Sequence, residues 1–443
     1  MLSLEKKVVD LIKKAGVVGA GGAGFPTHVK ADASAEYVIV NGAECEPLLR
    51  VDQQLMAKYP AQIIRGLMAV LKATGAKKGI IALKGKYEKA VKNLQKEIGN
   101  KPIEVLILED FYPAGDEQVT VYEVLKRIVP EGGIPLKVGC VVNNVETLYN
   151  VAQALDKVPV TKTFLTVTGD VPKPFTAELP VGLSMAECLA LAGVKKLEGK
   201  AVIEGGPMMG KLVDNLDAPV TKTTKGLIVL PEDHPLIQAK KLDFNYQLKR
   251  SKAVCIQCSY CTEVCPRHLL GHQLSPHKIM RTLNYLEVEG QVIKTALLCS
   301  ECGACTYICP MGLSPQLVNA FLKQELGKKG IRPDAPVKPP QIDQTREYKR
   351  IPSKRLIIRM GLKDFDVEAP LVDFQLKPLR VRIPLKQHLG VPAQPLVKVG
   401  DKVQQNDLLA SVQEGKLGAD IHASISGTIT EITDRIVIEA EMR

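Results

Sequence analysis

Apolar and polar positions change their period several times along this chain, and each change marks an element. The first sixteen residues, MLSLEKKVVDLIKKAG, space charges through an apolar repeat, which predicts an amphipathic helix and not a signal peptide. Tyr37-Val38-Ile39-Val40 is a short apolar run stopped by Asn41-Gly42, the signature of a strand. Residues 53–74 are helical in pattern, Gly79-Ile80-Ile81-Ala82-Leu83 is strand-like, 87–98 is helical, and Val105-Leu106-Ile107-Leu108 is another strand. This alternation predicts an α/β domain with a mostly parallel sheet. Residues 163–229 shift to short β-like runs and turns, among them Leu165–Val171 and Gly205-Gly206-Pro207-Met208-Met209-Gly210. Residues 328–355 are rich in Pro and Lys (Pro333, Pro336, Pro339, Pro340) and read as a semi-extended linker. Short strands punctuated by Gly follow at 400–403, 408–410 and 422–429.

Eight of the eleven cysteines fall between the β-rich stretch and the linker, in two matching runs. They are Cys255-x2-Cys258-x2-Cys261-x3-Cys265-Pro266 and Cys299-x2-Cys302-x2-Cys305-x3-Cys309-Pro310. This is the bacterial ferredoxin spacing, in which the fourth Cys of each run ligates the other cluster. One [4Fe–4S] cluster is therefore expected on Cys255, Cys258, Cys261 and Cys309, and a second on Cys299, Cys302, Cys305 and Cys265. Zinc has no use for the third Cys or the Cys-Pro ending. Disulfides do not suit a chain without a secretory signal. Cys45, Cys140 and Cys188 read as core residues, and the glutamates flanking Cys45 should raise its thiol pKa. His268, His272 and His277 read as solvated or capping helix residues rather than metal ligands.

Composition narrows the classes. With 443 residues the chain has length for about three domains. Aromatics are 4% and Trp is absent, so nothing suggests a base-stacking nucleic-acid surface. The net charge of +11 serves solubility and also suits an acidic partner, such as a flavodoxin, a ferredoxin or a membrane surface. No run of about eighteen uncharged apolar residues is present, so no bilayer span is expected, only peripheral association at most. The expected location is the cytoplasm, where thiols stay reduced.

The α/β stretch carries four polar clusters. Gly19-Ala20-Gly21-Gly22-Ala23-Gly24-Phe25-Pro26-Thr27 removes side chains so that backbone N–H groups can close on a phosphate. It fits a dinucleotide fingerprint in letters but follows a helix where that fingerprint follows a strand. The others are Asn41-Gly42-Ala43-Glu44-Cys45-Glu46-Pro47, Tyr112-Pro113-Ala114-Gly115-Asp116-Glu117 and Asn143-Asn144-Val145-Glu146-Thr147. Two of them follow strands that periodicity marks, where α/β sheets bind ligands.

The four motifs in this order, over residues 16–150, resemble the FMN- and NADH-binding domain shared by the NADH-oxidising subunit of respiratory complex I and the RnfC proteins. The resemblance implies a site for FMN and NADH. Lys30 takes the position of a phosphate contact, Asn41 that of a flavin-binding asparagine, and Asn143 and Asn144 the pair near the FMN phosphate. Glu46 and Glu117 match acidic groups near the nicotinamide nucleotide, and Phe25 a ring that stacks on it. Gly19, Gly21, Gly22, Ala23, Gly24, Glu44, Tyr112, Gly115, Asp116 and Thr147 complete the implied cofactor site. Ala43 and Cys45 stand where the complex I pattern has Asp and Gly, which puts the chain on the RnfC side.

The later segments resemble further modules of the same family. Residues 161–234 are similar to its soluble-ligand-binding β-grasp module, here expected as a spacer, and 235–330 to its two-cluster ferredoxin domain. After a 331–375 linker, residues 376–443 resemble the barrel-sandwich hybrid fold of biotinyl and lipoyl domains. Lys416 lies near the hairpin where such domains carry a cofactor, without the Met-Lys-Met or Asp-Lys context, so an interaction module is expected. The fold class is thus multidomain: a 1–160 α/β domain, a β-grasp, a helical dicluster domain and an all-β hybrid. RnfC proteins usually carry the hybrid at the N-terminus, and its C-terminal place here resembles the corrinoid-reducing branch of the RnfC/PduS family. That branch implies electron flow from NADH through FMN and two clusters to a corrinoid, in the cytoplasm or a bacterial microcompartment. The alternatives are an RnfC-like input subunit of a larger complex with a carrier-protein acceptor, and a relay that does not oxidise NADH.

Overall fold

The computed structural model describes residues 4–282, 290–333 and 340–441. Its first unit is built on a parallel sheet of β1 (Tyr37–Gly42), β2 (Lys78–Lys84), β3 (Ile103–Leu108) and β5 (Cys140–Asn144), in the order β3-β2-β1-β5. A two-residue strand, β4 (Phe111–Tyr112), lies outside that sheet. Successive residues of β1 point to opposite faces: Val38 and Val40 join the core under helix Pro60–Thr74, and Ile39 packs with Val121, Cys140 and Val142. Both faces of β1 and β2 are covered, which is why their centres read as apolar runs. Leu67 is fully buried in that core, and Leu67→Ala should cost about 2–5 kcal/mol.

A mixed sheet follows, formed by β6 (Lys162–Gly169), β7 (Phe175–Pro180), β8 (Lys200–Glu204), β9 (Lys211–Leu212) and β10 (Gly226–Pro231) in the order β7-β6-β10-β8-β9. Helix Met185–Leu191 packs on it, started by a capping box between Ser184 and Glu187. Residues 235–282 and 290–328 hold a series of helices around the cysteine runs. Residues 380–439 form two small antiparallel sheets over a core that includes Val381, Leu409, Ile421, Ile429 and Ile438. Among the described residues no helix is long and apolar enough to cross a membrane.

The linker expectation is corrected. Pro336 and Pro339 lie outside the described residues, but residues 340–375 are a strap bound to the other units. Its strand β11 (Ile351–Pro352) pairs antiparallel with β4. Arg346 and Arg350 share Glu123, at 2.5 and 2.9 Å. Further on, Thr176 exchanges backbone hydrogen bonds with Pro370 and Val372. A Pro/Lys-rich composition reports chain stiffness and solubility; it does not report a partner strand some 240 positions away.

Candidate functional site

The sheet order makes the carboxyl ends of β1 and β5 the switch point, where crossovers leave in opposite directions. A cleft of about 510 Å³ opens there. It is lined by Gly19, Gly21, Gly22, Ala23, Gly24, Phe25, Lys30, Asn41, Gly115, Glu117, Asn143 and Asn144, so the structure brings most of the sequence-predicted residues together. The Gly-rich loop closes on itself through Gly19 N–H to Phe25 O at 2.9 Å. A Cβ on Gly22 would meet no atom within 4 Å, so its backbone lies open. Ala20 N–H donates to Thr147 Oγ1 at 3.0 Å, which fixes the loop from behind; Thr147 itself does not line the cleft.

The cleft is chemically suited to an anion. Asn144 caps helix Val145–Leu155 by accepting from Glu146 N–H at 2.9 Å, so that helix presents its N-terminus beside the loop. Asn143 is buried, and its Nδ2 has no hydrogen-bond partner among the described residues. An unpaired buried donor in a cleft wall is a position that a ligand acceptor would satisfy. Lys30 Nζ donates to Glu117 Oε1 at 3.0 Å and Val142 O at 2.9 Å, and lies over the Phe25 ring at 5.9 Å. An incoming phosphate would compete with Glu117 for that lysine.

Four more predicted residues do not line the cleft. Glu44 is turned to the start of helix Val51–Lys58, accepting from Asp52 N–H at 2.8 Å and Gln53 N–H at 3.2 Å. Glu46 accepts from Met208 and Met209 N–H at 2.9 and 3.0 Å, and burial pushes its carboxyl up to about 7. Tyr112 donates its hydroxyl to the Cys302 carbonyl. Asp116 caps helix Glu117–Leu125 through Gln118 and Val119 N–H, and pairs with Arg267 at 2.5 Å. The loop 112–117 therefore has two faces: Gly115 and Glu117 on the cleft, Tyr112 and Asp116 on the cysteine domain.

Other residues were missed in the sequence. Asp52 accepts from Asn144 Nδ2 at 2.8 Å directly behind the cleft, and burial with Glu44 nearby raises its pKa. Leu389 of the C-terminal module lines the cleft and donates its N–H to Gly24 O at 3.1 Å. No local signal in either segment announces these contacts.

The two cysteine runs interleave. One cavity is lined by Cys255, Cys258, Cys261 and Cys309, and a second by Cys265, Cys299, Cys302 and Cys305. Each set takes three thiols from one run and the fourth from the other. Burial pushes Cys261 and Cys265 each up to about 12; Cys309, Cys255 and Cys258 add to the first shift, and Cys299 to the second. Among the described residues no three His, Cys, Asp or Glu side chains could hold a single metal ion, as tetrahedral zinc requires. None of the eleven cysteines is paired in a disulfide. The spaces suit an ion cluster bridging spread-out thiolates.

The remaining cysteines and histidines behave structurally. Cys45 accepts from Gly115 N–H at 2.6 Å, and its thiol is pushed to about 11 chiefly by burial, with Glu46 a lesser cause than the sequence implied. His272 departs from the solvated reading: it is buried, with Nε2 at 2.9 Å from Val129 O, joining the cysteine domain to the first unit. His277 hydrogen bonds with Thr262 Oγ1 at 2.7 Å.

Comparison with known proteins agrees with this layout. Residues 12–153 match the Nuo51 FMN-binding domain, 254–314 a 4Fe-4S dicluster domain, and 361–443 the RnfC barrel sandwich hybrid domain. The last match takes in part of the strap. The chain is 45% identical over 434 residues to cobalamin reductase PduS of Salmonella typhimurium, covering 97% of this chain and 96% of that protein. It is 46% identical over 431 residues to the protein of the same name from Citrobacter freundii, covering 97% and 95%. It is also 37% identical over 278 residues, 60% of each chain, to a component of the Na(+)-translocating ferredoxin:NAD(+) oxidoreductase complex of Acetobacterium woodii. In fold, the chain is similar to an NAD+-reducing [NiFe]-hydrogenase in the air-oxidized state, with TM-score 0.50, 21% identity, and coverage of 79% of this chain and 67% of that one.

Proposed function

The chain belongs to the family of cobalamin reductase PduS, and from that premise we propose that it passes electrons from NADH through FMN and two [4Fe–4S] clusters to a corrinoid. It is an oxidoreductase. The observation that carries the reading is the sequence of spaces: a ligand cleft, a loop touching both cleft and cysteine domain, and two cavities each framed by four thiols.

FMN supplies the conversion the route needs, taking two electrons as hydride and releasing them singly. The Gly19–Gly24 backbone, Lys30 and the N-terminus of helix Val145–Leu155 would hold its phosphate, and Asn143 Nδ2 would donate to it. Glu117 and Phe25 would meet the nicotinamide nucleotide, with Glu117 released from Lys30 when phosphate arrives. Cys255, Cys258, Cys261 and Cys309 would hold one cluster, and Cys265, Cys299, Cys302 and Cys305 the other. The mixed sheet of β6–β10 would serve as a β-grasp spacer, its 205–210 turn anchored by Glu46. A cytoplasmic or microcompartment location goes with this reading.

The likeness to the Acetobacterium woodii protein favours a second reading, an electron-input component of a larger complex whose acceptor is a protein. The +11 charge would suit an acidic one. Reduction of cob(II)alamin by the isolated, cofactor-loaded chain with NADH separates the two. The first reading expects turnover without a second protein. Reduction only of an added ferredoxin or flavodoxin would replace it with the second.

A further inference from the structure

The two thiol cavities are not electrically equal. Among the described residues, the cavity of Cys255, Cys258, Cys261 and Cys309 has no Lys or Arg in its wall, only apolar side chains, Gln257, Ser259 and His277 besides the thiols. The cavity of Cys265, Cys299, Cys302 and Cys305 has Arg267 in its wall. Arg267 is 8% exposed, so its permanent charge is little screened by water. This cavity is also the one tied to the cofactor cleft, by Tyr112 to the Cys302 carbonyl and by the Arg267–Asp116 pair at 2.5 Å. Asp116 also accepts from Gln118 and Val119 N–H at the start of helix Glu117–Leu125, so its carboxylate faces that helix N-terminus as well as Arg267.

The geometry points to Arg267 as the residue that raises the reduction potential of the cluster nearest the flavin and so makes it the first acceptor. Reduction of a cluster adds one electron and no proton; the electron comes from the reduced flavin of the reading above. The added negative charge lies beside a buried guanidinium in one cavity; beside the other the guanidinium is that of Arg250, half-buried and behind the wall, donating to Met311 O at 3.0 Å and Gly312 O at 3.3 Å. Arg267 acts here as a positioning residue, through charge and through Asp116. The inference rests on the proposed assignment of the second thiol set to one cluster.

The test is a potentiometric titration of the full-length, reconstituted protein, followed by electron paramagnetic resonance at each poise. Arg267→Gln should move one of the two cluster signals to more negative potential. A change of about tenfold in its reduced-to-oxidised ratio at fixed poise corresponds to about 59 mV for one electron. Arg267→Lys should bring it back toward the parent. Asp116→Asn should move the same signal the opposite way, because it leaves Arg267 without its counter-charge. Structural damage would not give opposite signs at two ends of one ion pair. If Arg267→Gln fails to hold iron, the Asp116→Asn and Arg267→Lys variants still decide. Unchanged potentials, or equal shifts in both signals, would overturn the inference. The same titration in a Cys258→Ser background should retain the Arg267-sensitive signal. Loss of that signal there would instead refute the cluster assignment on which the inference depends.

Discussion

Gly22→Val separates a ligand-binding loop from a mere turn, because the structure predicts different effects on stability and on binding. A Cβ at Gly22 meets nothing within 4 Å, and its φ is not in the left-handed region, so the folded protein should tolerate the side chain. Stability without cofactor should change by no more than about 0.5 kcal/mol, the range of unconstrained surface sites. The same isopropyl group would project into the cleft where FMN must approach the backbone. Losing one hydrogen bond to a charged phosphate costs about 1.5–3 kcal/mol, or roughly 10- to 150-fold in Kd. Steric exclusion adds to that, so the variant should be purified free of flavin. Gly21→Val is the contrasting control: its Cβ would lie 2.8 Å from Asn144 Nδ2, so it should lower both melting temperature and affinity. Flavin fluorescence titration and thermal unfolding, run on the same samples, give the two readouts. Stoichiometric FMN in Gly22→Val at parental affinity would make the loop a mere turn.

Other outcomes follow from the same contacts. Cys258→Ser should lower iron from about eight to about four atoms per chain and remove one cluster's spectral signal, as measured by iron and labile-sulfide assay. Glu117→Gln, which weakens the 3.0 Å pair with Lys30, should slow NADH-driven reduction while dithionite still reduces the clusters; equal NADH rates would take Glu117 out of the site. Glu46 has its folded-state pKa raised from 4.5 to about 7, so the folded state holds its proton longer than the unfolded chain does. That contribution is fully present below pH 4.5 and lost as pH rises through about 7, so parent stability should fall relative to Glu46→Gln across this window in chemical denaturation, and a pH-independent difference would contradict it.

The parts legible in the sequence were those written in local spacing. The spacing of the two Cys runs already grouped three thiols of one run with the fourth of the other, the same grouping that lines the two cavities. The sheet was legible because β1 and β2 are apolar on both faces. What escaped depends on surfaces distant in the chain. Asp116 has the letters of a cofactor ligand, but its carboxylate is committed to a helix cap and to Arg267, 151 positions away. Glu44 is likewise taken up by the N–H groups of the helix after it. The strap failed as a linker because Arg350, over the Phe111 ring at 4.5 Å and bonded to Glu109 and Glu123, finds partners that composition does not encode.

On the proposed route, two electrons enter as hydride at the flavin cleft and leave one at a time through the cysteine domain. Anaerobic rapid mixing of the FMN- and iron-loaded protein with NADH, followed by absorbance, tests it most directly. Flavin absorbance should be lost first and iron–sulfur absorbance second, with neither loss seen in Gly22→Val. If NADH leaves both unchanged while dithionite bleaches the clusters, the chain is a relay fed by another donor, with Ala43, in place of the Asp of the complex I pattern, the first residue to suspect.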